Sequence, residues 1–497
     1  MALPALLFAL PLVTALILLV NRNPAVRNTL VRVSALLMGV LSVAVGVMYF
    51  GHPFKIGVDS PLVRLLMMAV DGLAALTVLY FCVKYKRYLT ALLGLAQFFL
   101  IVAFEFHAGS YARSVWDFNI DNLSIIMILI AGIIGGLIAV YSLGYMAVYH
   151  RKHADVKDRR SFFFFVVFLF LSAMFGLVMS NNLLYMYTFW EITSLCSFLL
   201  IGYSGTNEAI HNSFKALWMN LLGGLAFAMA IAYLGEHFYT LEISQLLSMG
   251  MQGMPVEPVV ALLVFCGFTK SAMMPFSGWL LGAMVAPTPT SALLHSSTMV
   301  KAGVFLIIKL APILGNNHAG IMAMLVGGIT FFFASCAAIS QSDGKKVLAY
   351  STISNLGLIV CCAGTGSYEA AWTAIMIVIF HAVAKSLLFL TVGTAEQQLG
   401  SRNLESFDGI FNSMPRLSLC MVIGICGMFL APFGMLISKW AAMKAFVDAG
   451  QPLLLLALVY GSATTLFYWT KWLARLPPIY RPMKTGRRAF WEWSGRR

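Results

Sequence analysis

The sequence predicts an all-α polytopic membrane protein. About 15 transmembrane helices are expected, ten of them forming two inverted five-helix repeats that each contain a broken helix. Three observations carry this expectation. Hydrophobic residues make up 60% of the 497 residues and charged residues only 10%, against ~25% charged in an ordinary water-soluble domain. Apolar segments recur from end to end, and about 20 such residues suffice to cross ~30 Å of hydrocarbon as a helix. Two of the segments are unusually long, contain a proline, and carry a lysine close to it.

The first segment, Met1 to Val20, has no charge ahead of its apolar core. The basic start of a cleaved signal peptide is missing, so it is expected to persist as the first span. Residues 1–118 hold about four N-terminal spans, at 2–20, 30–50, 62–82 and 89–107. Residues 119–160 form a connecting helix, 119–146, and a basic cytoplasmic loop. The first repeat, 161–314, comprises spans 161–180, 182–203, 214–235, 257–286 and 290–314. The second, 315–474, comprises spans 319–340, 346–366, 369–394, 414–446 and 452–474. In the fourth span of the first repeat, Lys270 lies five residues before Pro275. In the fourth span of the second, Lys439 lies seven residues after Pro432. Interrupted helices at matching places in two halves are the best sequence pointer to inverted-repeat transport architecture. The halves share little direct similarity, so the repeat rests on pattern. Residues 475–497 form a basic cytoplasmic tail with Pro and Trp, suited to an interfacial anchor or a partner contact.

Loop charge sets the orientation. With the N-terminus outside, 23 of the 33 Lys and Arg residues fall in cytoplasmic segments, and the opposite loops hold only Lys55, Arg64, Arg113 and Lys444. That bias predicts a multi-pass protein of a prokaryotic inner membrane, N-terminus outside and C-terminus cytoplasmic. The net charge of +14 therefore faces anionic lipid, and nucleic acid is not an expected partner. The eight cysteines all lie in apolar segments with no CxxC pair, as buried core thiols do.

Charged residues inside spans need a reason, because a lysine near the bilayer centre costs between ~3 and ~10 kcal/mol or more. Glu191 lies about ten residues into LLYMYTFWEITSLCSFLLIGY, too deep to snorkel. Its carboxyl is expected to be neutral or paired with a cation, hence switchable; the bland reading is a permanently neutral, hydrogen-bonded acid. Lys270 lies in CGFTKSAMMPF just before the break. It could pair with Glu191 in a moving or a static ion pair. His295 and Lys301 are six residues apart, not on one face, yet both can border a hydrated interior at different depths. Histidine titrates near neutral pH and suits relay work; a hydrogen-bonded core histidine is the alternative. His381 and Lys385, at i and i+4 in MIVIFHAVAKSLLFL, share a helical face, as a proton relay would require. Lys439 follows the second break, and its alternative is snorkelling toward Lys444. Lys215 and Lys309 lie nearer span ends, where snorkelling serves equally well; Lys215 is kept as a further candidate. Asp71 is central in LLMMAVDGLAALT but outside the repeats, so helix packing or hydrogen bonding fits it as well as transport. Glu105 is left unassigned. No nucleophile, phosphate loop, metal cluster or dinucleotide motif is recognisable.

At these residues the sequence resembles the antiporter-like membrane subunits of respiratory complex I, energy-converting membrane-bound hydrogenases and Mrp-type cation/proton antiporters. The matching phrases are FNIDNLSIIMILIAGIIGGLIAVYSLGYM (118–146), YTFWEITSLCSFLLIGY (187–203), TKSAMMPFSGWLLGAMVAPTPTSALLHSSTMVKAGVFLI (269–307), DGKKVLAYSTISNLGLI (343–359) and FHAVAKSLLFLTVG (380–393). They stand in the family's order, within a resemblance that runs from about Phe118 to Tyr460.

The resemblance implies roles that spacing does not. It pairs Glu191 with Lys270 as a gate, makes His295 and Lys301 a central relay continued by His381 and Lys385, and makes Lys439 the terminal site. Protons, or sodium ions, would be the cargo. Electrons would stay elsewhere: no cofactor is expected in this chain, with Fe–S, flavin or NiFe centres in partner subunits. Its partners would be other membrane subunits, including antiporter-like neighbours, and lipid. Two features depart from the family: spans 62–82 and 89–107 stand where many members have only a loop, and no long lateral helix follows 452–474. The implied function is a proton-translocating subunit of a redox-driven complex, membrane-bound hydrogenase or complex I-like. The alternatives are an Mrp-type Na+/H+ antiporter subunit and a membrane subunit coupled to inorganic-carbon uptake.

Overall fold

Fourteen helices in the computed structural model are long and apolar enough to cross a membrane, and the chain is an all-α polytopic membrane protein. The structure describes residues 2–58, 60–109, 111–112, 114–430 and 433–477. Most of the tail at 475–497, and Pro432 of the second break, thus lie outside the described residues.

The N-terminal helices are α1 (Ala2–Val20), α2 (Pro24–Tyr49), α3 (Pro61–Lys84) and α4 (Tyr88–His107). The connecting helix is longer than expected. It runs from α5 (Asn122–Leu129) through a π-helical turn, Ile130–Ile134, into α6 (Gly135–Lys152). Then come α7 (Arg160–Met179), α8 (Leu183–Ile201) and α9 (Asn207–Phe238). Side-chain caps open several of these: Asp121 accepts from Ser124 N–H at 2.8 Å and Asn182 from Leu184 N–H at 2.9 Å, satisfying donors that a helix start leaves free. Two elements were not foreseen. Phe54–Ile56 and Phe118–Ile120 pair as antiparallel strands β1 and β2, and α10 (Ile243–Met251) is a short amphipathic helix. Both are shorter than the apolar run that reveals a span.

The span expected at 257–286 is broken. α11 (Glu257–Lys270) stops, and α12 (Gly278–Gly282) resumes seven residues later. Pro275 has no N–H to donate and its ring clashes with a preceding helical carbonyl, so the helix cannot run through it. The freed end is tied down: Trp279 Nε1 donates to the Thr269 carbonyl at 2.9 Å, and Met274 N–H to Thr330 Oγ1 at 3.0 Å.

The span expected at 290–314 is also not one helix. α13 (Thr288–Ala292) passes through a π-helical turn, Leu293–Ser297, and α14 (Met299–Leu310) begins after Thr298, whose backbone sits at φ −127°, ψ −95°. α14 is buried along its whole length. It meets α11 nearly backbone to backbone, because a Cβ on Gly303 would stand 2.6 Å from the Gly267 carbonyl oxygen.

The second half holds α15 (His318–Ile339), α16 (Gly344–Gly364), α17 (Tyr368–Leu399), the short α18 (Ile410–Ser413), α19 (Pro415–Phe429), α20 (Gly434–Asp448) and α21 (Pro452–Leu473). α19 ends at Phe429 and α20 begins at Gly434. α1 packs on α7, and the α3–α4 hairpin lies against α8 and α9.

Candidate functional site

Lys270 is the last residue of α11, delivered to the protein interior by the helix break. Its Nζ donates to the Trp190 carbonyl at 2.9 Å and to Ser194 Oγ at 2.7 Å, 4.7 Å from the Trp190 ring centre. Glu191 is buried on the same stretch of α8, and its Oε2 accepts from Gln97 Nε2 of α4 at 3.2 Å. No ion pair within 4.0 Å joins Glu191 and Lys270 among the described residues. The amine is satisfied by a carbonyl and a hydroxyl beside Glu191 rather than by the carboxylate.

Lys301, the third residue of α14, reaches α17. Its Nζ lies 3.0 Å from His381 Nδ1 and donates to the Val378 carbonyl at 3.2 Å. Lys385, one turn beyond His381, donates to the Leu348 carbonyl of α16 at 3.0 Å and lies 5.0 Å from a ring centre of Trp469. His295 sits in the π-helical turn, its ring centre 5.8 Å from that of Phe389. All four side chains are fully buried. Both ring nitrogens of His295 and Nε2 of His381 find no protein hydrogen-bond partner. Buried polar atoms of that kind are ordinarily served by internal water. A lysine touching a histidine beside such atoms can hold a proton and hand it on.

Lys439 of α20 is also buried, 5.9 Å from the Phe331 ring centre, and forms no hydrogen bond with the other candidates. Lys215 differs from them. It is half-buried and lines a surface cleft with Lys86, Arg87 and His211, away from the buried row. Lys309 does not snorkel free: it pairs with Asp121 at 3.4 Å.

One group escaped the sequence reading. Lys345, counted there as a loop cation, is 2% exposed and pairs with Glu396 of α17 at 3.4 Å. Thr288 donates to Glu396 at 2.9 Å, and Tyr145 lies 3.2 Å from Thr288. These polar groups stand at the Pro287 end of the bundle. Their sequence signal was one acid, Glu396, just past an apolar run.

The family model described as NADH:quinone oxidoreductase/Mrp antiporter, transmembrane region, matches residues 180–465, and that of the complex I chain 5 N-terminus matches residues 106–163. A Staphylococcus aureus protein described as an antiporter subunit, mnhA2, is 35% identical over 67% of this chain and 44% of its own length. The chain thus spans about half of the curated relatives it matches. Two solved structures superpose with TM-scores of 0.76: the archaeal membrane-bound sulfane sulfur reductase, at 20% identity over 95% of this chain and 88% of that one, and the Mrp complex from Dietzia sp., at 25% identity over 95% of this chain and 47% of that one. The first shows the shared fold alone.

Proposed function

The chain belongs to the NADH:quinone oxidoreductase/Mrp antiporter membrane family, and on that premise we propose that it translocates protons as one subunit of a larger redox-driven complex. The observation that carries the reading is the buried Lys301–His381 contact at 3.0 Å, with Lys385 one helical turn away. Such groups sit in a membrane protein's interior at a cost that function has to justify. Protons reach Lys301 from the Pro287 end, pass His381 and Lys385, and leave by way of Lys439. Glu191 and Lys270 gate loading by making and breaking an ion pair as Lys270 exchanges its Trp190 and Ser194 contacts for the carboxylate.

The chain is a multi-pass protein of a prokaryotic cell membrane in this reading, N-terminus outside and C-terminus cytoplasmic, as the loop cations favour. Other membrane subunits adjoin it, and electron-carrying cofactors belong to them. The test uses sealed vesicles holding the intact complex, a ΔpH dye and an electron donor in sodium-free buffer. Acidification abolished by Lys270→Ala is the expected result. A signal that needs a sodium gradient and no electron donor would replace this reading with Na+/H+ exchange.

A further inference from the structure

The α3–α4 hairpin carries groups that the relay does not use, and they converge on Glu191. Asp71 on α3 and Gln97 on α4 are 7% and 4% exposed. Together with Glu191, Tyr187 and apolar residues of α3, α4, α8 and α9, they line a cavity of about 20 Å³, room for about one water. Each of the three contributes one buried oxygen without a hydrogen-bond partner: Asp71 Oδ1, Gln97 Oε1 and Glu191 Oε1. Gly224 of α9 makes the space, since a Cβ there would stand 2.4 Å from both Gln97 Oε1 and Glu191 Oε1. The outer oxygens are held in place. Asp71 Oδ2 accepts from Thr188 at 2.9 Å and Glu191 Oε2 from Gln97 at 3.2 Å.

Three unpartnered acceptor oxygens on residues that line one cavity call for a donor there, from a water, a carboxyl proton or the Tyr187 hydroxyl on the same lining. Two carboxyl groups at such a site do not both carry charge unless a cation intervenes. The cationic side chain that acts on this region is Lys270, which does not line the cavity, makes no ion pair within 4.0 Å with Glu191 among the described residues, and donates instead to the Trp190 carbonyl and Ser194 Oγ. The titratable groups around the cavity are Asp71 itself, Tyr187 and Glu191 on α8, and Lys270 and Cys266 on α11; those lining it from α4 and α9 are uncharged.

We propose that Asp71, Gln97 and Glu191 form one proton-holding site, in which two carboxyl groups share a single proton through one water. Loading places one proton on the pair; unloading removes it as the Lys270 ammonium leaves its Trp190 and Ser194 contacts for the carboxylates and offsets their charge, with no other bond changed. The site deepens the reading of Glu191 as a loading group and rests on it only for the direction of flow. Asp71 thereby gains a role beyond helix packing, and the hairpin becomes part of the gate.

The test is an infrared titration of the full chain within its complex in lipid nanodiscs, following the carbonyl band of a protonated carboxyl. Asp71→Asn and Glu191→Gln should each shift one common band, and the double variant should lose it. Gly224→Ala, whose methyl would crowd Gln97 Oε1 and Glu191 Oε1, and Thr188→Val should shift it as well, which covers the case in which Asp71→Asn does not assemble. A Glu191 band that titrates unchanged in Asp71→Asn and Gly224→Ala would overturn the proposal. So would a band that moves with sodium but not with potassium, which would make the cavity a cation site. Failure of the wider proton-transport reading would appear only in vesicle flux and would leave this titration intact.

Discussion

Lys301 makes its case through one atom. Its Nζ and His381 Nδ1 are 3.0 Å apart, so when the ammonium donates, Nδ1 must accept and the imidazole proton sits on Nε2. Moving charge along the row requires Lys301 to release a proton. Arginine keeps the charge but does not release it at any working pH. Lys301→Arg should therefore assemble yet lose pumping at least ~10-fold, a barrier change of ~1.4 kcal/mol. Full pumping by that variant would mean that a fixed charge suffices. At the other end, Glu396→Gln would leave the buried Lys345 ammonium short of its acid. Because Glu396 is partly solvated, the expected loss is about 2 kcal/mol rather than the full cost of breaking a buried pair. It would be read as a lower thermal midpoint in detergent. The buried lysines and histidines were legible because such residues inside apolar runs are so costly. Gln97 was not, because an uncharged amide in a span draws no attention.

The elements place these groups, and they were legible unevenly. The break after Lys270 could be anticipated from Pro275, since proline cannot continue a helix. The π-helical turn that carries His295 could not, because LLHSS has no proline or glycine to announce it. That turn explains how His295 and Lys301, out of phase on a straight helix, both face the interior. A Glu191–Lys270 ion pair was raised by their burial and made a gate by the resemblance; the structure instead has Lys270 bound to Trp190 and Ser194. The contact of α11 with α14 depends on glycine. A side chain at Gly303 would meet Ser271 Oγ at 2.2 Å and the Gly267 carbonyl at 2.6 Å. Gly303→Val should therefore push the two helices apart, costing ~1–3 kcal/mol and lowering both thermal stability and transport. An unchanged melting profile would show that the helices have slack.

At the scale of the molecule, fold class and span number were readable from apolar runs alone, because a membrane admits few other solutions for this backbone. About fifteen spans were expected and fourteen helices are long and apolar enough; the 257–286 segment is not among them because it is divided into the 14-residue α11 and the 5-residue α12. What composition could not disclose is how the α3–α4 hairpin packs, since its residues look like any lipid-facing span. It adds Asp71 and Gln97 to a site that the relay otherwise shares with Lys270. The central claim is that protons travel through the buried Lys301, His381 and Lys385 row. Its most direct test is the number of protons moved per electron pair by the intact complex in sealed vesicles, wild type against Lys385→Ala. The row predicts that electron transfer continues while the proton count falls by the share of this subunit. An unchanged ratio at normal electron flux would contradict it.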